Sequence, residues 1–551
     1  VTTTEPADAS PHTQPGWWAD RVGYQVYLPS FADGDGDGWG DLTGLRQRLD
    51  HLAWLGVDLV WLSPINPSPM ADHGYDVADY CAVHPRLGTL ADVDALLAEA
   101  RDRGIAVLLD LVPNHTSVEH PWFQRARASR DDPYRDYYHW GDPAPDGGPP
   151  NNWVSVFGGP AWTFEPATGQ YYLHLYAPEQ PDLNWDNPAV AREFDAILRF
   201  WLDRGVAGFR IDVAHALKKA PGLPDQPEVP AAQQPARLDG RAADHYAIEH
   251  VHDREQPGLR DLHRRWRAVA EPYGALLLGE VYILDPQRLA TYLRDQDGLH
   301  TGFWFGLVES EWDPAHLAAQ LRAAEVTGPH LAWVQSSHDR RRAPTRYGGG
   351  QMGRRRALTL AVLTLGLPAL PVLYQGDELG LEDGHVPPQA YQDPLARRTG
   401  GALSRDPART PMPWEPGERL GFTDAEQAWL PWGGRTDADT VAVQRADPGS
   451  PLWAYRRLVA LRGALSGLRG GPVRWHATTP PVVAYVRGDV LVAGNLEAHA
   501  ATLALPEGRW TVRLRTQGSG AVEPDDVVEG ALSLPGEHAA ILQREVAAGE
   551  G

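Results

Sequence analysis

Eight short apolar runs recur along the chain, each followed by a longer stretch that reads as helix. They are VGYQVYLPSF (22–31), VDLVWLSPI (57–65), IAVLLDLVP (105–113), VAGFRIDVA (206–214), ALLLGEVY (275–282), TGFWFGL (301–307), LAWVQSSHD (331–339) and LPALPVLYQGDE (367–378). Near-continuous apolar strands, in place of strict alternation, belong to a parallel sheet covered by helices on both faces. Eight strand–helix units predict closure into a (β/α)8 TIM barrel. An open doubly wound sheet is the alternative, but no Gly-rich phosphate loop follows the first run.

The rhythm breaks twice between runs. Residues 114–205 separate the third run from the fourth and include a Pro-, Gly- and Asn-rich stretch, PAPDGGPPNNW, before a helix-like segment at 189–204. Residues 218–256, proline-rich, follow the fourth run. Loops after barrel strands line the site face, so both insertions are candidate pocket walls. After about residue 470 the pattern changes to short alternating strands separated by turns. The predicted domains are a barrel of 1–113 and 188–470, an inserted domain of 114–187, and a C-terminal β-sandwich of 471–551.

Charged residues at the ends of these apolar runs are the candidate chemistry. Arg210 and Asp212 lie two apart and share a side of their strand. Glu280 ends the fifth run, and His338 with Asp339 ends the seventh. Buried charge is costly unless paired or used. A barrel-end ion-pair network is one reading, but three carboxylates from three strands, with an Arg and a His among them, exceed its needs. Glycosidic cleavage requires one carboxylate to attack the anomeric carbon and another to protonate the leaving oxygen. Arg210 favours an ionised Asp212, and the apolar neighbours of Glu280 suggest a setting that keeps it protonated.

Composition narrows the partners. With 551 residues and a formal net charge of −22, the chain repels phosphates, which argues against nucleic acid and anionic membranes as partners. The single cysteine, Cys81, allows no internal disulfide and no Cys-based metal site. The polar N-terminus, VTTTEPADASPHTQPG, has no apolar core of a secretory signal, and the most apolar stretch, 357–374, is broken by Pro368 and Pro371 and reads as buried helix and strand. A cytoplasmic location is expected, and the oligomeric state is left open.

The motifs DLVPNH, GFRIDVAH, LLGEVY and SSHD, with GDGWGDL, HGYDVADY, PDLNW and RTPMPW, resemble the α-amylase family (glycoside hydrolase family 13), and within it the oligo-1,6-glucosidase and α-glucosidase branch. The resemblance covers almost the whole chain. It implies Asp212 as nucleophile, Glu280 as acid/base and Asp339 as the third carboxylate, which grips the distorted sugar. It further implies Arg210, His115 and His338 as hydrogen-bonding partners of the reacting glucose, Tyr75 as its platform, and Asp72 with Arg405 as the closure of the pocket. Phe157 and Tyr176 occupy positions of pocket-wall aromatics. One position departs from the pattern: Ser337 stands where Asn commonly precedes the His-Asp pair.

Asp33, Asp35, Asp37, Trp39 (through its carbonyl) and Asp41 alternate with glycines in DGDGDGWGD, a spacing that suits a hard cation with oxygen ligands. The resemblance extends a structural Ca2+ to this loop. The implied activity is retaining, exo-acting hydrolysis of terminal glucose from short neutral α-glucosides, with some transglucosylation. Val213 after the nucleophile hints weakly at α-1,6 linkages. An intramolecular transferase of the trehalose synthase or sucrose isomerase kind would use the same residues. A non-catalytic scaffold would have no use for all three carboxylates.

Overall fold

The structure, a computed structural model, describes residues 16–234, 241, 243–478 and 482–545. The N-terminal stretch of residues 1–15, on which the absence of a signal was argued, lies outside the described residues, as do parts of the 218–256 insertion.

The eight apolar runs become eight parallel strands in a closed barrel, paired in chain order. They are β1 (Gly23–Val26), β2 (Leu59–Leu62), β3 (Ala106–Leu111), β4 (Gly208–Ile211), β5 (Leu276–Gly279), β6 (Thr301–Trp304), β7 (Leu331–Trp333) and β8 (Leu370–Tyr374). Every residue of these strands is buried, which is why the runs lack a polar alternation. Each strand is shorter than its apolar run. In β1, for example, the run continues into a 3-10 turn, Leu28–Ser30, because apolar character tracks burial and not hydrogen bonding.

The covering helices carry the complementary pattern. In Leu90–Asp102 the buried positions are Val93, Leu96, Leu97 and Ala100, and a capping box between Thr89 and Asp92 fixes its start. Helix Pro188–Leu202 starts at an Asn187 cap and buries Val190, Phe194, Ile197 and Trp201 on one stripe. Each such side chain, fully buried, is worth about 1.5–3 kcal/mol. The helix Gly350–Gly366 is buried on every side of its second half, because the C-terminal sheet lies over it: Tyr485 donates to the Leu363 carbonyl and Thr359 to the Glu537 carbonyl.

Within residues 114–187 three short strands, Trp140–Gly141, Trp162–Glu165 and Gln170–Leu173, form an antiparallel sheet. The C-terminal region forms one hydrogen-bonded antiparallel sheet of seven strands, where two separate sheets were expected. Its 17-residue strand Ala501–Gln517 pairs with Val527–Leu534 at one end and Ala539–Arg544 at the other, with a register shift between Ala504 and Arg509. That irregularity lets a single strand serve both halves. Among the described residues no helix is long and apolar enough to cross a membrane.

Candidate active site

Asp212 is the first residue beyond β4, and Glu280 the first beyond β5. The ladder nevertheless continues through their backbones: Asp212 N–H donates to the Leu111 carbonyl and Glu280 N–H to the Ile211 carbonyl, each at 2.9 Å. Both side chains are therefore rooted in the sheet while reaching over the barrel mouth, the end where barrel sites are built.

Arg210 on β4, 2% exposed, lies beneath them. Its Nη1 donates to Asp212 Oδ1 at 2.6 Å and Asp110 Oδ1 at 2.8 Å, and its Nη2 pairs with Glu280 Oε2 at 2.8 Å. Burial raises the Asp212 carboxyl well above the usual carboxylate range; Arg210 pulls against this, and the charges of Glu280 and Asp110 add to it. Arg210, which the sequence paired with Asp212 alone, is shared by three carboxylates, Asp110, Asp212 and Glu280. The expected apolar setting of Glu280 fails. Its strand neighbours are apolar, yet its Oε2 accepts the Val213 N–H at 3.0 Å and forms an ion pair with Arg210 Nη2 at 2.8 Å.

Asp339 reaches the same space from the loop after β7. Arg409 Nη2 donates to its Oδ1 at 2.9 Å and Arg405 Nη1 at 3.1 Å. Burial works to raise its pKa, but His338 and the two arginines hold it well below the ordinary range. His338 is itself pressed down to about 3 by burial, so at neutral pH it is uncharged and the arginines carry the effect. Gln25 Nε2 lies 2.6 Å from His338 Nδ1, and Tyr75 hydroxyl 2.8 Å from Nε2. An amide nitrogen only donates, so Nδ1 is the acceptor and Nε2 carries the hydrogen. The ring is stacked on Tyr75 at 5.4 Å. Ser337 Oγ accepts the Asp339 N–H at 3.2 Å, so the short side chain at this departing position is turned into its own loop.

Arg405 closes the far wall. It donates through Nη2 to Asp72 Oδ1 at 2.7 Å and to Asp393 Oδ1 at 2.7 Å, and through Nε to both Asp393 oxygens at 3.1 Å. Gln180 joins Asp72 (3.3 Å) to His115 (3.0 Å), and burial holds His115 down to about 4. Phe157 lies under the Arg405 guanidinium at 5.2 Å, with Tyr176 edge-on to Phe157 at 5.7 Å.

All eleven catalytic and substrate-binding candidates line this one cavity, together with Tyr282, Phe303 and Phe305 on one wall. His215, just beyond β4, and the 218–256 insertion contribute His215, Arg241, His245 and Arg254 to the rim. The insertion is also fastened to the 114–187 domain, where Trp153 Nε1 donates to the Pro224 carbonyl at 2.8 Å and Asn152 Nδ2 to the Gln226 carbonyl at 2.9 Å. Besides these lining residues, the sequence did not single out Asp110, Gln25, Gln180, Asp393 and Arg409. Asp110 carried the same signal as Arg210, a charge inside an apolar strand. Arg409 opens the RTPMPW motif, whereas Gln25, Gln180 and Asp393 carried no signal that single-sequence reading can use.

Asp33, Asp35 and Asp37 bring carboxylate oxygens within 4.8 Å of one another. Arg86 pairs with Asp37 at 3.1 Å, and the Thr423 hydroxyl donates to Asp33. Asp41 is placed differently from the expectation: it caps helix Leu42–Gln47, Oδ1 accepting the Gly44 N–H at 2.7 Å and Oδ2 the Gly34 N–H at 2.9 Å. Trp39 packs its ring on Trp429 at 4.9 Å.

A closed barrel whose mouth gathers Asp212 and Glu280 on Arg210 and Asp339 on Arg405 and Arg409 is that of a glycoside hydrolase of the α-amylase type. Residues 25–471 match the family described as alpha amylase, catalytic domain, and the chain belongs to that family. It is 38% identical over 533 residues to a "probable alpha-glucosidase" of Rhizobium meliloti (strain 1021), covering 94% of this chain and 95% of that one. Among solved structures, an α-glucosyl transfer enzyme is similar at 40% identity and a TM-score of 0.89, covering 97% of this chain and all of the other. A trehalulose synthase from Pseudomonas mesoacidophila MX-45 is similar at 32% identity and a TM-score of 0.84, with 97% and 100% covered.

Proposed function

We propose that the protein hydrolyses the non-reducing terminal glucose of short α-glucosides with retention of configuration. The observation that carries this reading is the Arg210 fork, which places Asp212 and Glu280 side by side, 2.6 and 2.8 Å from one guanidinium. Retaining enzymes need their two carboxyl groups about 5–5.5 Å apart, whereas inverting enzymes hold them farther apart to admit a water.

In the first step an Asp212 oxygen bonds to the anomeric carbon while Glu280 gives its proton to the departing glycosidic oxygen. In the second, Glu280 takes a proton from water as the water oxygen displaces Asp212. Asp339, kept anionic by Arg405 and Arg409, is a fixed acceptor for sugar hydroxyls. The Arg405–Asp72 ion pair, joined to Gln180, lines one wall of the cavity, and a pocket closed there supports exo action. A covalent intermediate can also pass to a sugar hydroxyl, so transglucosylation accompanies hydrolysis.

Release of glucose from maltose, isomaltose, sucrose, trehalose and an aryl α-glucoside tests the reading, with NMR of the first-formed anomer. First-formed α-glucose is expected; β-glucose overturns it. Isomerised disaccharide with little free glucose moves the assignment to intramolecular transfer, the activity class named for the trehalulose synthase neighbour. The Asp33, Asp35 and Asp37 oxygens fit a hard divalent cation, and Ca2+ there would hold the loop without touching the sugar.

A further inference from the structure

Val213, the residue after Asp212, has a φ of 47°. In that left-handed region Cβ crowds the following carbonyl, and a β-branched residue is a true outlier. Such strain persists only where the surroundings impose it. Its side chain is 4% exposed and belongs to an apolar cluster with Ala216 and with Trp153 and Leu175 of the inserted domain. Its N–H donates to Glu280 Oε2 at 3.0 Å, the same oxygen that pairs with Arg210 Nη2 at 2.8 Å. Oε2 thus carries both the Val213 hydrogen bond and the ion-pair contact with Arg210, which leaves Oε1 as the seat of a proton.

We propose that Val213 is a positioning residue whose strained backbone, clamped by the inserted domain, aims an N–H at Glu280 and fixes Oε1 as the oxygen that delivers the proton. The inference rests on Glu280 being the acid. As the glycosidic bond breaks, the Oε1–H bond breaks and its proton goes to the leaving oxygen. The charge left on Glu280 spreads to Oε2, where the Val213 N–H and Arg210 stabilise it. In the return step Oε1 takes a proton from the attacking water.

The test is the dependence of kcat/KM on leaving-group pKa across substituted phenyl α-glucosides. Because each slope is a ratio within one variant, a partly unfolded sample cancels out. Val213→Ala keeps the cost of positive φ while losing the packing that sustains it, so its N–H swings away. Val213→Gly tolerates positive φ, and its N–H stays. Relative to the best leaving group, the poorest should lose about tenfold in Val213→Ala, less in Val213→Gly and most in Glu280→Gln. A side chain that acts only by packing gives the reverse order, Gly worse than Ala. That order, or an unchanged slope in Val213→Ala, overturns the proposal. An unchanged slope in Glu280→Gln shows instead that the assignment of the acid is wrong, and the proposal falls with it.

Discussion

Replacing Arg405 by Ala should damage stability as much as catalysis, and should do so in a pH-dependent way. The Arg405 side chain, 10% exposed, pairs with Asp72, Asp339 and Asp393, and Asp393 is fully buried. Removing one partner of a buried pair leaves an uncompensated charge, at a cost of about 3–5 kcal/mol. Arg409 still compensates Asp339 at 2.9 Å, so the larger part of the loss falls on Asp393. For a chain of 551 residues the entropy of unfolding is about 1.2 kcal/mol/K, so the melting temperature should drop by about 3–4 °C at pH 7. The sign with pH follows from linkage. Arg405 holds Asp393 and Asp339 below the ordinary carboxylate range, so their stabilisation is present above the unfolded pKa of about 3.9 and is lost as pH falls through the folded values. In the variant the buried carboxyls prefer to be neutral, so the gap to wild type should narrow between pH 7 and pH 4.5. Differential scanning calorimetry at both pH values measures it. A gap under about 1 °C at pH 7, or one that widens on acidification, refutes the argument.

Asp212→Asn should lower turnover of the best disaccharide by at least about 10^4-fold while leaving the far-UV circular dichroism unchanged; a near-normal rate removes the nucleophile assignment. Chelation should lower the melting temperature without altering KM for an aryl α-glucoside, and metal analysis of chelator-free protein should find Ca2+; no divalent ion means that Arg86 and Thr423 alone hold the loop. Wild-type stability should fall between pH 6.5 and pH 4. Burial holds His115, His139, His174 and His263 down to about 4 and His73, His215 and His338 to about 3, so the unfolded chain binds protons that the folded one refuses. Asp76, Asp110 and Asp377, raised to about 6 by burial, and Asp35, Asp41, Asp72, Asp212 and Asp406, shifted the same way, act in the opposite sense, but among the described residues these eight acids are outnumbered by thirteen histidines that burial lowers. A melting temperature flat from pH 7 to pH 5 contradicts this balance.

The barrel was legible because burial on both faces writes itself into a strand as an unbroken apolar run, and the convergence of Asp212, Glu280 and Asp339 on one cavity because a charge at the end of such a run is costly unless paired or used. The same signal marks Asp110 inside β3, and only its lack of an obvious partner in the sequence kept it from notice. What one sequence does not disclose is how charge is divided among side chains brought together from distant segments. Arg210 stands two residues from Asp212 and 70 from Glu280 in sequence, yet it holds both at nearly the same distance, so neighbours along one strand do not reveal that the two carboxylates share a guanidinium. Asp393 makes the point more strongly. It sits in a loop of ordinary composition, and its importance comes from burial and from three contacts with one guanidinium. The position of Asp41 follows the same logic: as a helix cap it satisfies three backbone donors, which competes with a cation for its oxygens in a way that ligand spacing alone does not reveal. Chemistry that depends on the identity of one residue at a strand end is therefore readable in advance, whereas chemistry that depends on a shared donor is readable only once the loops have closed over it.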